Sequence, residues 1–147
     1  LKVAALYTSG DQNNNGTRDG NNAFQAINSF VAGDTTKTSS ESNFYAADMQ
    51  ILLRNKYNVN NDRSIVQNLN NNNEGFIGGF VGYDANITPK FFTNVNAGFA
   101  AAANTDNDDS YLGTEVNAEV GYKLFDNMTA SVQGAYFFLG DYFDDLG

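Results

Sequence analysis

A run of ligand-type oxygens lies between Asp11 and Asp19, in the order Asp-Gln-Asn-Asn-Asn-Gly-Thr-Arg-Asp. Side-chain oxygens of Asp11, Asn13, Asn15 and Asp19 fall at the first, third, fifth and ninth positions of an oxygen-ligand calcium loop. Gly16 takes the sharp-turn position, and the Thr17 carbonyl falls at the seventh. The spacing therefore predicts a Ca2+ site. The twelfth position holds Asn22 instead of a bidentate Glu, and no helical pattern flanks the loop, so a polar loop with coincidental spacing is the competing reading. Asp106, Asp108 and Asp109 form a second acidic group, which reads as a solvated loop tip.

Catalytic chemistry finds little to work with. The chain has no His and no Cys, so the common nucleophile–base pairs and metal-hydrolase ligand sets have no residues to be built from. Glu115 and Glu119 share one parity of a strand pattern, but four residues of extended chain put them too far apart to share a proton. Gly78, Gly79 and Gly82 sit within a strand pattern and do not open a helix, so they make no phosphate loop. Asn-x-Thr at Asn86 and Asn127 falls where turns are expected. The expectation is a protein that is not an enzyme and requires no cofactor.

The formal net charge of -9 leaves no basic stripe for phosphates, which argues against a nucleic-acid partner. It suits an exposed surface that holds divalent cations. No stretch approaches the roughly 18 apolar residues of a membrane helix. The mean hydropathy of -0.41 is polar, but a strand that alternates lipid-facing and lumen-facing residues cancels its own apolar signal. The chain starts at Leu1 without a signal-peptide pattern, and we read it as a mature piece of something longer.

The elements that would position these residues are strands. Leu112, Thr114, Val116, Ala118, Val120, Tyr122 and Leu124 share one parity, against Glu115, Asn117, Glu119 and Lys123 on the other. After a turn at Phe125-Asp126-Asn127, the apolar parity resumes in Met128, Ala130, Val132, Gly134, Tyr136 and Phe138. A preceding hairpin runs from Ile77 to Ile87, turns at Thr88-Pro89-Lys90, and returns from Phe91 to Ala101. Two further strands are expected at Leu1 to Ser9 and at 44–54, the latter with Met49, Ile51 and Leu53 opposite Asp48, Gln50 and Arg54. A weaker pattern between Arg63 and Asn70 would supply the strand needed between 44–54 and the first hairpin. Very short turns alternate with a long loop at 10–43, an Asn-rich connection at 55–75 and a polar loop at 103–110. Aromatics on the apolar parity gather at the two ends: Phe91 and Tyr122 near the turns, and Phe99, Tyr136 and Phe138 toward the loops. These features predict an all-β, antiparallel, up-and-down transmembrane barrel, with 1–147 forming a single partial domain of it.

The stretch Tyr111 to Phe143 resembles the penultimate strands of outer-membrane porins of sulfate- and metal-reducing bacteria. Thr8-Ser9-Gly10-Asp11 with Asp19-Gly20 and Ala23-Phe24 is similar to a loop of alginate-export-like porins. That resemblance implies a Gram-negative outer-membrane channel of more than eight strands, which passes small hydrophilic solutes or ions by diffusion and assembles as a trimer with its loops outside. It departs from such porins by stopping at Asp-Asp-Leu-Gly and not at a terminal aromatic strand. On this reading Lys2, Asp48, Arg54, Glu115, Asn117, Glu119 and Lys123 line the pore, where charges tune ion selectivity or simply pair with one another. The alternatives are a surface structural or adhesive β-protein whose Asn- and Asp-rich loops bind calcium, and a soluble ligand-binding barrel.

Overall fold

A computed structural model describes residues 1–11, 23–24, 48–53, 64–66, 69–105 and 109–146. Within them are five strands: β1 (Lys2–Thr8), β2 (Phe76–Asn86), β3 (Phe91–Ala101), β4 (Tyr111–Phe125) and β5 (Met128–Leu139), followed by a 3-10 helix (Asp141–Leu146). They form one sheet in the order β1-β2-β3-β4-β5, with each neighbouring pair antiparallel. The fold is thus all-β and up-and-down, and the sheet is open, with β1 and β5 at its edges.

Two hairpin ends and the loop ends lie at opposite edges of this sheet. The β2–β3 turn is pinned by Thr88, whose Oγ accepts from the Phe91 amide at 2.9 Å. The β4–β5 turn is only Asp126-Asn127, between the paired residues Phe125 and Met128. At the other end, Asn71, Asn72 and Asn73 all have positive φ, a backbone state that Asn tolerates better than most residues. The turn closes through the Gly75 amide on the Asn70 carbonyl at 2.8 Å. Gly75 itself has a φ of 71°.

Residues 48–53 and 64–66 correct the expectation of two more strands: among the described residues neither stretch is a strand. They pair with each other, the Ile65 amide on the Ile51 carbonyl and the Val66 amide on the Leu52 carbonyl, at 2.9 and 3.0 Å. Together they lie as a cover on one face of the sheet. The need for an intervening strand disappears, because β1 pairs directly with β2. Alternation at 45–53 misleads because Met49, Leu52 and Leu53 are the buried apolar residues, and that is not a period of two.

The cover builds the core. Met49, Leu52, Leu53 and Val66 pack with Phe76, Phe80, Ala100 and Leu112, and Phe137 packs against the group. Room for this comes from a bare backbone at Gly98: a Cβ there would lie 2.6 Å from the Phe80 ring and 2.8 Å from the Met49 sulfur. Leu112 is a second correction, since it is buried with the cover and not on the outer apolar parity. The register shifts there, with Ala100 opposite Gly113 and Ala101 opposite Tyr111, so Leu112 is the extra residue of a bulge. Gly113 supports it with a φ of 140°.

Truncating the core should show this division. Phe80→Ala is expected to cost about 3–5 kcal/mol of unfolding free energy. Val3→Ala, on the far face, should change it by less than about 0.5 kcal/mol. Equilibrium unfolding followed by circular dichroism checks both.

Candidate functional site

Strand parity places polar side chains on the covered, inner face, where they meet in cross-strand rows. One row runs Lys2, Gly82, Asn96, Asn117 and Ala135, from β1 to β5. The next, toward the short turns, runs Asp84, Asn94, Glu119 and Gln133. Adjacent strands lie about 4.8 Å apart, so row neighbours reach one another directly.

A bonded chain follows from that spacing. Lys2 Nζ donates to Asp48 Oδ2 at 2.7 Å and to Asp84 Oδ1 at 3.1 Å. Asn94 donates to the same Asp84 oxygen, and Asn96 donates to Asn94. Asn96 Nδ2 also reaches Asn117 Oδ1 at 2.7 Å, and Asn117 Nδ2 reaches Glu115 Oε1 at 2.7 Å. Asn96, Asn117 and Glu115 are buried, and their mutual bonds offset the cost of removing them from water. The Lys2 pairs are about one-third exposed or more, so they contribute roughly 0–1 kcal/mol each.

Glu115 is fully buried and sits at the end of this chain. Its Oε1 accepts from the Gln50 amide at 2.7 Å, and its Oε2 accepts from the amides of Ile51 and Leu52 at 2.9 and 2.6 Å. With the Asn117 bond, each carboxylate oxygen has two donors, which fills its lone-pair sites. Three successive N–H groups aimed at one anion form a nest, and Asp48, with a φ of 51°, turns the chain two residues before it. The carboxylate is therefore spent on holding the cover to β4.

Of the residues expected to line a passage, Lys2, Asp48, Glu115, Asn117, Glu119 and Lys123 are brought to this one face. Arg54 lies outside the described residues. Asp48, Glu119 and Lys123 border an open basin of about 250 Å³, which Gln50, Asp84, Phe92, Asn94 and Gln133 also line. Asp84, Asn94, Asn96 and Gln133 were not singled out as site residues from the sequence. Their shared parity was the available signal, but their coming together depends on register across four strands.

Of the expected calcium loop only Asp11 lies among the described residues; Asn13, Asn15, Thr17 and Asp19 lie outside them. Asp11 is buried, its amide on the Asn73 carbonyl at 2.7 Å and its carbonyl accepting from Asn104 Nδ2 at 2.6 Å. Nearby, Glu74 accepts from the Tyr142 hydroxyl at 2.7 Å and from Thr105 at 3.2 Å. No group of three or more acidic residues among the described ones is placed to hold a metal.

No family model, curated protein or solved structure matches this chain.

Removing the nest's anion should release the cover. Glu115→Ala leaves the amides of Gln50, Ile51 and Leu52 without this acceptor, at about 1–3 kcal/mol for each that water does not reach. Amide hydrogen exchange is expected to speed at residues 50–52 and to change far less in the β4–β5 ladder. Glu115→Gln, which keeps one acceptor oxygen, should fall between the two.

Proposed function

We propose that this sheet is part of the wall of a transmembrane β-barrel in a bacterial outer membrane, and that its inner face borders a water-filled passage for small hydrophilic solutes or ions. The observation that carries the reading is the outer face. Val3, Val81, Val95, Val116, Val120 and Val132 are all exposed there, and they form a continuous aliphatic band across the five strands. Val3 is 76% and Val132 75% exposed. A water-soluble protein rarely leaves so broad an apolar surface uncovered.

Aromatics bound much of the band. Phe91 lies opposite Tyr122 near the short turns, whereas Tyr7, Phe99, Tyr111 and Phe138 lie toward the loops. Tyr136 sits beside Phe138 with ring centroids 4.8 Å apart. Ten residue steps along β3 take Phe91 to Ala101, about 33 Å at about 3.3 Å per step. Tilted by the 35–45° typical of such barrels, that length supports an apolar band about 25 Å tall. Short turns would then face the periplasm, with the longer connections outside.

Lipid gives this reading a further requirement. Among the described residues no further strand pairs with the outer edges of β1 and β5, and hydrocarbon does not tolerate unpaired backbone groups. Additional strands therefore complete the wall, and by its porin resemblance the assembly is a homo-oligomer, a trimer. The passage needs no chemical step and no cofactor. Its field comes from Glu119 and Lys123, because Glu115 is consumed by the cover.

Solubility and conduction test this separately. The protein is expected to need detergent, and monodisperse behaviour in plain buffer would overturn the membrane reading. Val120→Asp should impair bilayer insertion, at a cost below the ~2–4 kcal/mol of an Arg or Lys at the midplane. In single-channel recordings Glu119→Lys should shift preference toward anions, whereas Glu115→Gln should leave it nearly unchanged. Equal shifts for both would sink the assignment of the field to Glu119.

A further inference from the structure

Among the described residues, the cover leaves one part of the inner face open, beside the short turns. Its basin of about 250 Å³ lies just below the roughly 300–1,000 Å³ that takes a drug-sized ligand, and so suits a single small ring. Phe92 forms its floor. Directly opposite Phe92 on β4 is Gly121, and a Cβ there would fall 2.1 Å from the tip of the ring. The bare glycine thus lets the ring lie across the β4 backbone.

Around that floor the side chains alternate in type. Asp84, Asn94, Glu119 and Gln133 form one row across β2, β3, β4 and β5, in the order carboxylate, carboxamide, carboxylate, carboxamide. Glu119 and Lys123 flank Gly121 along β4. Among the described residues, the side chains of Glu119, Lys123 and Gln133 are engaged by no partner. Carboxylates only accept hydrogen bonds, carboxamides donate and accept, and the ammonium only donates. This set suits a ligand whose groups each both donate and accept, which is the property of hydroxyls. An apolar ring floor suits the C–H face of a cyclic polyol.

We propose that this basin binds a neutral pyranose, its C–H face on Phe92 and its hydroxyls on Glu119 and Gln133. The proposal deepens the passage reading by naming a solute class, and it rests on the inner face being open to water. Adjacent hydroxyls would bridge the gap of about 4.8 Å between row neighbours on β4 and β5. Asp84 and Asn94, already bonded to each other and to Lys2 and Asn96, hold the opposite wall in place.

Saturation-transfer NMR on the full chain in a sugar-free detergent, with methyl β-glucoside as the probe, tests the inference. Transfer to the sugar ring protons is expected on irradiation of the protein's aromatic resonances, with millimolar affinity. Phe92→Ala should abolish the transfer. Gln133→Ala, at an exposed position on the edge strand, should weaken binding about fivefold without touching the fold. Val132→Ala, on the outer face, should change nothing. No transfer in the unaltered chain, undiminished transfer in Phe92→Ala with native circular dichroism, or equal displacement by the zwitterion glycylglycine would each overturn the proposal. Liposome swelling reads the passage independently: swelling without sugar binding removes this inference alone, and sugar binding without swelling removes the passage alone.

Discussion

Register is the constraint on which the other features of this sheet depend. Side chains alternate with a period of two, so a slip of one residue between neighbours would exchange the two faces of a whole strand. The apolar band, the Asn row and the inward aim of Glu115 all require the same pairing to hold from β1 to β5. The pairing departs from uniformity at Leu112, which turns inward, and near Lys123 beside the turn. Both departures lie at strand ends, and the parity between them is preserved.

Glu115 shows how one polar position on such a face can be taken out of service. An unpaired buried carboxylate would be costly, but four donors compensate this one, three of them the successive amides of Gln50, Ile51 and Leu52. The same bonds fix residues 50–52 over β4, and the apolar side chains of Met49 and Leu52 then close over Phe80 and Gly98. Among the described residues, the inner face divides accordingly into a half buried under the cover and an open half around Phe92. Glu115 and Glu119 are equivalent in the sequence pattern, yet they lie in different halves.

This difference marks the limit of what was legible beforehand. The alternation from Ile77 to Phe138 identifies β2, β3, β4 and β5, most of their facing and both short turns, because each depends on neighbours in sequence. The parity of β1 was legible for the same reason. The stretch at 48–53 was misread as a strand, since its apolar residues answer to a distant face and not to a local period. Leu112 was assigned to the wrong face because one extra residue beside a glycine leaves little trace in the pattern. The meeting of Lys2 with Asp48 and Asp84 joins residues 46 and 82 positions apart, and no local pattern carries that.

The position of β1 has a consequence for how the chain assembles. Strands β2 to β5 are joined by connections of nine residues or fewer and can zip together by successive local closures, whereas β1 reaches β2 only after the excursion from Ser9 to Gly75. Closing a long loop is slower, although its added entropy grows only logarithmically with length. The cover lies within that same excursion and is fastened to β4, two strands beyond β2. A cover seated before β1 docks shortens the effective loop that remains. The Glu115 nest would then act as a staging point in the order of folding, with β1 added last along the edge of a sheet whose interior is already furnished.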